Sequence, residues 1–141
     1  MSLASCNRPE PTDNKPQNVT AQQVPAATEA YELQERCGKQ AEEIFKKEPR
    51  STDEDYRTLV HSYTNHYNKK LNKCFILFKD TGFYKKETHI SSTISDVNEN
   101  KDYGTYFKTV KNKKPFLCNV NGKYCNSEGE WEALLKPFME E

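Results

Sequence analysis

The ten residues Phe116-Leu117-Cys118-Asn119-Val120-Asn121-Gly122-Lys123-Tyr124-Cys125 constrain the fold more than any other stretch of the chain. Asn-Gly is the strongest two-residue hairpin signal, because both residues accept the positive φ that a twist-matched turn demands. Counting outward from that turn, Val120 faces Lys123, Asn119 faces Tyr124 and Cys118 faces Cys125. Directly opposed residues of an antiparallel pair lie ~4.5–5.5 Å apart at Cα, within disulfide reach. The sequence therefore predicts a tight hairpin closed by a Cys118–Cys125 bridge.

A second hairpin is read from His61 to Phe78, HSYTNHYNKKLNKCFILF, the stretch richest in aromatic and β-branched residues. Asn68-Lys69-Lys70-Leu71-Asn72 is polar enough to turn the chain between its halves. Upstream, Thr28 suits a helix N-cap, with Glu29 and Glu32 placed where the helix dipole favours acids. Leu33, Cys37, Ala41, Ile44 and Phe45 recur at helical spacing as one apolar stripe, and Pro49 stops the run. Cys37 sits mid-stripe, and Cys74 alternates with Ile76 and Phe78 on one strand face. A helix packed there predicts a Cys37–Cys74 bridge.

Further along, Asp80-Thr81-Gly82 is expected to turn, residues 88–97 to form a third strand, and Tyr103 to Val110 a fourth. Ser127-Glu128-Gly129-Glu130 is a capping box opening a last helix with Trp131, Leu134, Leu135, Phe138 and Met139 on its apolar face. Pro137 is expected to kink or end that helix. The expected class is α+β, an antiparallel sheet of four to five strands with an N-terminal and a C-terminal helix packed on it and two disulfides. This single domain spans 29–141.

Only 34% of residues are hydrophobic, with a mean hydropathy of −1.02, so a packed core cannot account for the whole chain. Residues 7–28, NRPEPTDNKPQNVTAQQVPAAT, hold four of the seven prolines and almost nothing that packs. Such a segment reads as a tether spanning roughly 25 Å as a coil. Immediately before it, Leu3-Ala4-Ser5-Cys6 resembles the lipobox of bacterial lipoproteins, where the cysteine becomes the acylated first residue. The resemblance implies lipidation at Cys6, with residues 1–6 an added start plus the lipobox. It implies partnership with a membrane through that anchor, and Asn7 is similar to the residue at that position in lipoproteins sent to the outer membrane. Setting Cys6 aside leaves Cys37, Cys74, Cys118 and Cys125, an even count that fits two disulfides in an oxidising compartment.

Basic and acidic residues balance at 21 each, so no global field draws the protein to nucleic acid, and no nucleic-acid partner is expected. Locally the balance breaks: Lys108, Lys111, Lys113, Lys114 and Lys123 follow one another with no intervening acid. Two solvated faces of opposite sign explain this run, and docking of the lysine strip on lipid headgroups or an acidic partner is the sharper alternative. No apolar run approaches the ~18 residues of a transmembrane helix.

Signals for chemistry are sparse. His61 and His66 are five apart in a predicted strand and point to opposite faces, so no metal site is expected. Asp96 to Asp102 spaces oxygen ligands like the start of a calcium loop, yet its sixth position is Lys101 and its twelfth Phe107, where that loop needs glycine and glutamate. Cys74 near His66 is the one thiol–imidazole pairing, and the disulfide assignment removes it. Asp53-Glu54-Asp55 reads as a solvated loop. No cofactor is expected. Tyr63, Asn65, Tyr67 and Tyr106 are the expected binding surface, since tyrosine combines contact area with a polar tip. The expected function is an exported, non-catalytic lipoprotein-like binding or structural module of the cell envelope, probing an envelope protein from the periplasmic face of the outer membrane. The alternatives are a periplasmic enzyme inhibitor, or a thiol- or metal-dependent enzyme.

Overall fold

Cys74, Phe75, Ile76, Leu77 and Phe78 are consecutive in one strand and all buried. Successive strand residues point to opposite faces, so a fully buried run needs cover on both sides. The computed structural model, which describes residues 26–140, supplies that cover with one helix on each face. In chain order the elements are α1 (Ala26–Lys47), β1 (Arg57–Asn68), β2 (Lys73–Tyr84), β3 (Glu87–Asp96), β4 (Lys101–Thr109), β5 (Leu117–Val120), β6 (Lys123–Tyr124) and α2 (Glu128–Met139). All six strands pair antiparallel with their sequence neighbours, so the sheet is a simple meander, β1-β2-β3-β4-β5-β6.

On one face, Ala41 of α1 packs on Ile76 and Phe78, flanked by Ile44, Phe45 and Tyr63. Cys37 and Cys74 are bridged there, Cα to Cα 5.4 Å, which pins the helix to β2. On the other face Phe75, Leu77, Ile94, Tyr106 and Val120 pack under Trp131 and Leu135 of α2. The Cys118–Cys125 bridge, Cα to Cα 5.0 Å, closes the last hairpin as its register requires: Asn119 pairs Tyr124 and Val120 pairs Lys123. Asn121 and Gly122 both hold positive φ, 48° and 80°.

Four details differ from the sequence expectation. The sheet has six strands rather than four to five, because both arms of the Asn121-Gly122 hairpin join it beside the four preceding strands, β5 pairing with β4 and β6 with β5. Helix α1 starts at Ala26, so Thr28 lies inside its first turn instead of capping it, and the helix takes in the last residues assigned to the tether. Asp80-Thr81-Gly82 does not turn: β2 runs on to Tyr84, and the turn falls on Lys85 and Lys86. Gly82 serves that strand by letting the Tyr56 ring lie against it, where a Cβ would come within 2.0 Å of the Tyr56 hydroxyl. Finally, α2 passes Pro137 and ends at Met139. Asn68, fully buried, holds that end: its Nδ2 donates to the Pro137 and Phe138 carbonyls at 2.8 and 3.2 Å, while its Oδ1 accepts from the Leu71 N–H at 2.9 Å. One side chain thus ties the β1–β2 turn to the C-terminal helix.

The start of α2 follows the capping box in part. Ser127 Oγ accepts from the Glu130 N–H at 3.1 Å, and Glu130 Oε2 reaches back to the N–H of Asn126 at 2.7 Å, one residue before the cap. Cys6 and residues 7–25 lie outside the described residues.

Candidate functional site

The four residues expected to share a binding surface do not lie together. Tyr63, Asn65 and Tyr67 pair with Phe78, Ile76 and Cys74 and so face α1. Tyr63 packs on the Phe45 ring at 4.5 Å, and Asn65 Nδ2 sits 3.7 Å from Cys37 Sγ. The Tyr67 N–H donates to Gln34 Oε1 at 2.9 Å, and its hydroxyl donates to Asn72 Oδ1. Tyr106 is on the opposite face, 2% exposed, with its ring tilted against Trp131 at 5.6 Å between centroids. Burial, with the Glu128 carboxylate adding to it, pushes its phenol above the ordinary range. Three of these residues therefore seat α1, and the fourth seats α2.

A different surface emerges where α1 stops. This helix lies over β1 and β2 and leaves the same face of β3 to β6 without a helical cover. On the α2 side of those strands Ser92, Ile94, Tyr106, Cys118 and Val120 are all buried. On the other side Ser91, Thr93, Thr105, Phe107, Leu117 and Asn119 are half-buried or exposed. The register lines them up in rows: Thr93, Thr105, Asn119 and Tyr124 in one, Ser91, Phe107 and Leu117 in the next. Tyr124 is 86% exposed, Phe116 59% and Leu117 53%.

Aromatic rings continue this surface towards one end of the sheet. Tyr56, Tyr84, His89, Phe107 and Phe116 follow one another with centroids 5.6–6.4 Å apart, and His89 stacks on Phe107. Threonines and an asparagine at the centre with rings at the margin give contact area carrying polar tips, the composition of recognition surfaces. Sequence reasoning missed this set because nothing local distinguishes a ring that carries a helix from one that carries none. The missing information is how far across the sheet each helix reaches.

The remaining chemistry-bearing side chains are engaged with one another. His61 Nδ1 contacts Asp80 Oδ1, and Phe45 stacks on the imidazole at 4.4 Å. Asp80 pairs across to Ser91, so the carboxylate lies between imidazole and hydroxyl. A Ser–His–Asp relay needs the imidazole in the middle, and this order cannot pass a proton from the serine. His66 lies on the α2 face, opposite His61, as its pairing with Phe75 requires.

Asp96 is 1% exposed and accepts from the N–H groups of Asn98 and Glu99 at 2.8 and 3.1 Å and from Lys73 Nζ at 2.8 Å. Burial works against its charged form, but the hydrogen bonds from Lys73, Glu99 and Asn98 outweigh that and hold its pKa below the usual carboxylate range. Lys73 also reaches Glu99 at 2.6 Å. The Lys73 ammonium thus pairs with two of the carboxylates of this stretch, and Asp96 accepts from the turn's amides as in an Asx-type turn. Among the described residues no cluster of three metal-ligating side chains forms.

No known protein-family model, curated protein or solved structure matches the chain. The geometry is therefore what bears on function. Beside the open face, the α2 side holds a cleft of about 260 Å³ between that helix and β1 to β3, floored by Trp131, Tyr106 and Leu135 and edged by Val60, Lys79 and Glu132. It has room for one small apolar group. Among the described residues no helix is long and apolar enough to cross a membrane.

Proposed function

We propose that the protein is an exported binding module of the cell envelope, carried on a lipid anchor at Cys6 and acting through contact instead of catalysis. The open face of β3 to β6 supports this most strongly. A sheet face of that extent, with Tyr124, Leu117 and Phe107 presented beside Thr105 and Asn119, is a surface with affinity to spare for another protein. Its partner is a second envelope protein that lays a flat, mixed polar and aromatic surface against it.

Several features support the parts of this reading. Two disulfides among four domain cysteines suit an oxidising compartment and leave no thiolate in the domain for nucleophilic attack. The proline-rich stretch after Cys6 suits a spacer between anchor and domain. His61, Asp80 and Asp96, the groups best suited to proton transfer, are held by stacking, ion pairing and backbone amides.

Two experiments test it. Radiolabelled palmitate fed to cells making the protein should label the wild type and not Cys6→Ala, and an unlabelled wild type contradicts the anchor. Copurification from solubilised envelopes should recover a partner that Tyr124→Ala with Phe107→Ala removes while the thermal midpoint stays within a few degrees. Loss of the same partner through Tyr63→Ala alone would instead return the contact to the α1 side.

A further inference from the structure

We infer that the end of the sheet formed by the β2–β3 turn and the β4–β5 loop is a docking tip for an anionic phospholipid surface. The two connections lie side by side: the Val110 N–H donates to the Thr88 carbonyl at 2.9 Å, and Lys111 Nζ is 3.5 Å from Glu87. Together they present Lys85, Lys86, Lys111, Lys113 and Lys114, all exposed. Among them stand Val110, 57% exposed, and Phe116 and Leu117, both above 50%. The Asp53-Glu54-Asp55 run precedes β1 at the same end, on the opposite margin of the sheet from the β4–β5 loop.

Charge alone would fit any anionic partner, and the apolar residues decide between them. Val110 and Phe116 bracket Lys111, Lys113 and Lys114 in sequence, so the loop offers a hydrophobic pair with ammonium groups around it. That is the arrangement of an interfacial anchor, in which rings and aliphatic groups enter the headgroup boundary while lysines meet lipid phosphates. Val110, which lies outside the ring series of the open face, and the lysines around it are not accounted for by a flat protein partner on that face.

A second observation comes from the backbone. Lys85 and Lys86 both hold positive φ, 47° and 66°, in the two-residue turn between Tyr84 and Glu87. The hairpin at Asn121-Gly122 meets the same demand with the residues that adopt it at least cost. A lysine pair in that position carries steric strain that Asn-Gly would relieve. Strain of this kind at a surface turn fits a role for the two side chains outside the fold.

The test uses the full chain produced without acylation, so that the Cys6 anchor cannot contribute, and measures sedimentation with phosphatidylglycerol vesicles and with phosphatidylcholine vesicles. Binding to the first and not the second is expected, falling steeply between 0.05 and 0.5 M salt. Each lysine close to an anionic leaflet contributes about a fivefold factor, so Lys113→Glu with Lys114→Glu should weaken binding by at least about 25-fold. Phe116→Ser, which leaves charge untouched, should weaken it several-fold. Lys85→Asn with Lys86→Gly should weaken it while raising the thermal midpoint, which separates loss of binding from loss of fold. No vesicle binding at low salt overturns the inference. So does binding that Phe116→Ser leaves unchanged and that soluble polyglutamate competes away, since the tip would then read charge alone and an acidic protein would be its partner. The β3 to β6 face is tested separately by Tyr124→Ala, which lies outside the lysine loops; Phe116 packs on Phe107 and belongs to both surfaces, so the lysine variants distinguish the tip from the face.

Discussion

The two faces of the central sheet are built from the same strands and have different fates. Under α2, every inward residue of β3 to β5 from Ser92 through Tyr106 to Val120 is buried, and Trp131 and Leu135 close the layer. On the α1 side, Ser95 and Thr109 are buried, but the middle residues of β3 to β6, Ser91, Thr93, Thr105, Phe107, Leu117, Asn119 and Tyr124, are half-buried or exposed. Helix α2 crosses from β5 to the end of β1, where Asn68 caps it, whereas α1 runs along β1 and β2 and is bridged to β2. A helix that crosses a sheet closes it, and one that runs along two strands leaves the rest for something else. The contrast separates residues that hold the fold from residues available for contact.

That separation predicts a graded set of effects. Trp131→Ala, on the closed face, should cost about 3–5 kcal/mol, whereas Phe107→Ala on the open face should cost about 1 kcal/mol or less; chemical denaturation of both variants checks it. Equal losses would mean that the faces do not differ as described.

The two bridges carry the comparison to the covalent level. Cys37–Cys74 joins residues 37 apart and Cys118–Cys125 residues 7 apart. The loop-entropy relation assigns about 4 kcal/mol to the first and about 2.4 kcal/mol to the second. Replacing each pair with alanines should reproduce that order in the midpoint of denaturant unfolding. The longer loop is closed by the bridge that attaches α1 to β2, so its removal should raise hydrogen exchange in α1 before α2.

Single polar side chains come next. Asn68→Ala removes the cap on α2 and leaves the partly buried Pro137 and Phe138 carbonyls and the Leu71 N–H without that partner, at about 1–3 kcal/mol, read as faster exchange in the last turn of α2. Asp96 has a folded pKa below its ordinary value of 3.8, so it contributes stability that is present at neutral pH and lost as pH falls through and below that value. Lys73, raised by Asp96 first and Glu99 second, contributes through the same ion pair, and that part is lost only as pH rises above its ordinary 10.5. Lys73→Met should therefore flatten both limbs of the stability profile between pH 2 and 11. The smallest effect is expected at Tyr124, where replacement by alanine should change stability by less than about 0.5 kcal/mol while reducing partner recovery.

Much of this architecture was legible beforehand, and the reasons are local. Asn121-Gly122 sets a register by turn chemistry, and register alone places Cys118 opposite Cys125. The helical stripe through Cys37 and the strand alternation through Cys74 point at each other, which is enough for the second bridge. Asp80-Thr81-Gly82 misled because a turn signal was in fact a glycine making room for Tyr56, a contact 26 residues away in sequence from Gly82 to Tyr56. The open face of β3 to β6 was the least legible part. Tyr63, Tyr67 and Tyr106 look no different in sequence from Tyr84 and Tyr124, and only the reach of each helix sorts them.

The most direct test places a benzoylphenylalanine crosslinker at Thr105 or Tyr124 on the open face, and at Glu43 or Glu132 on the outer sides of the two helices. The cells are irradiated intact. One envelope protein should be captured from positions 105 and 124 and not from 43 or 132. Capture from either helix position alone, with nothing from the sheet, would contradict the open-face contact.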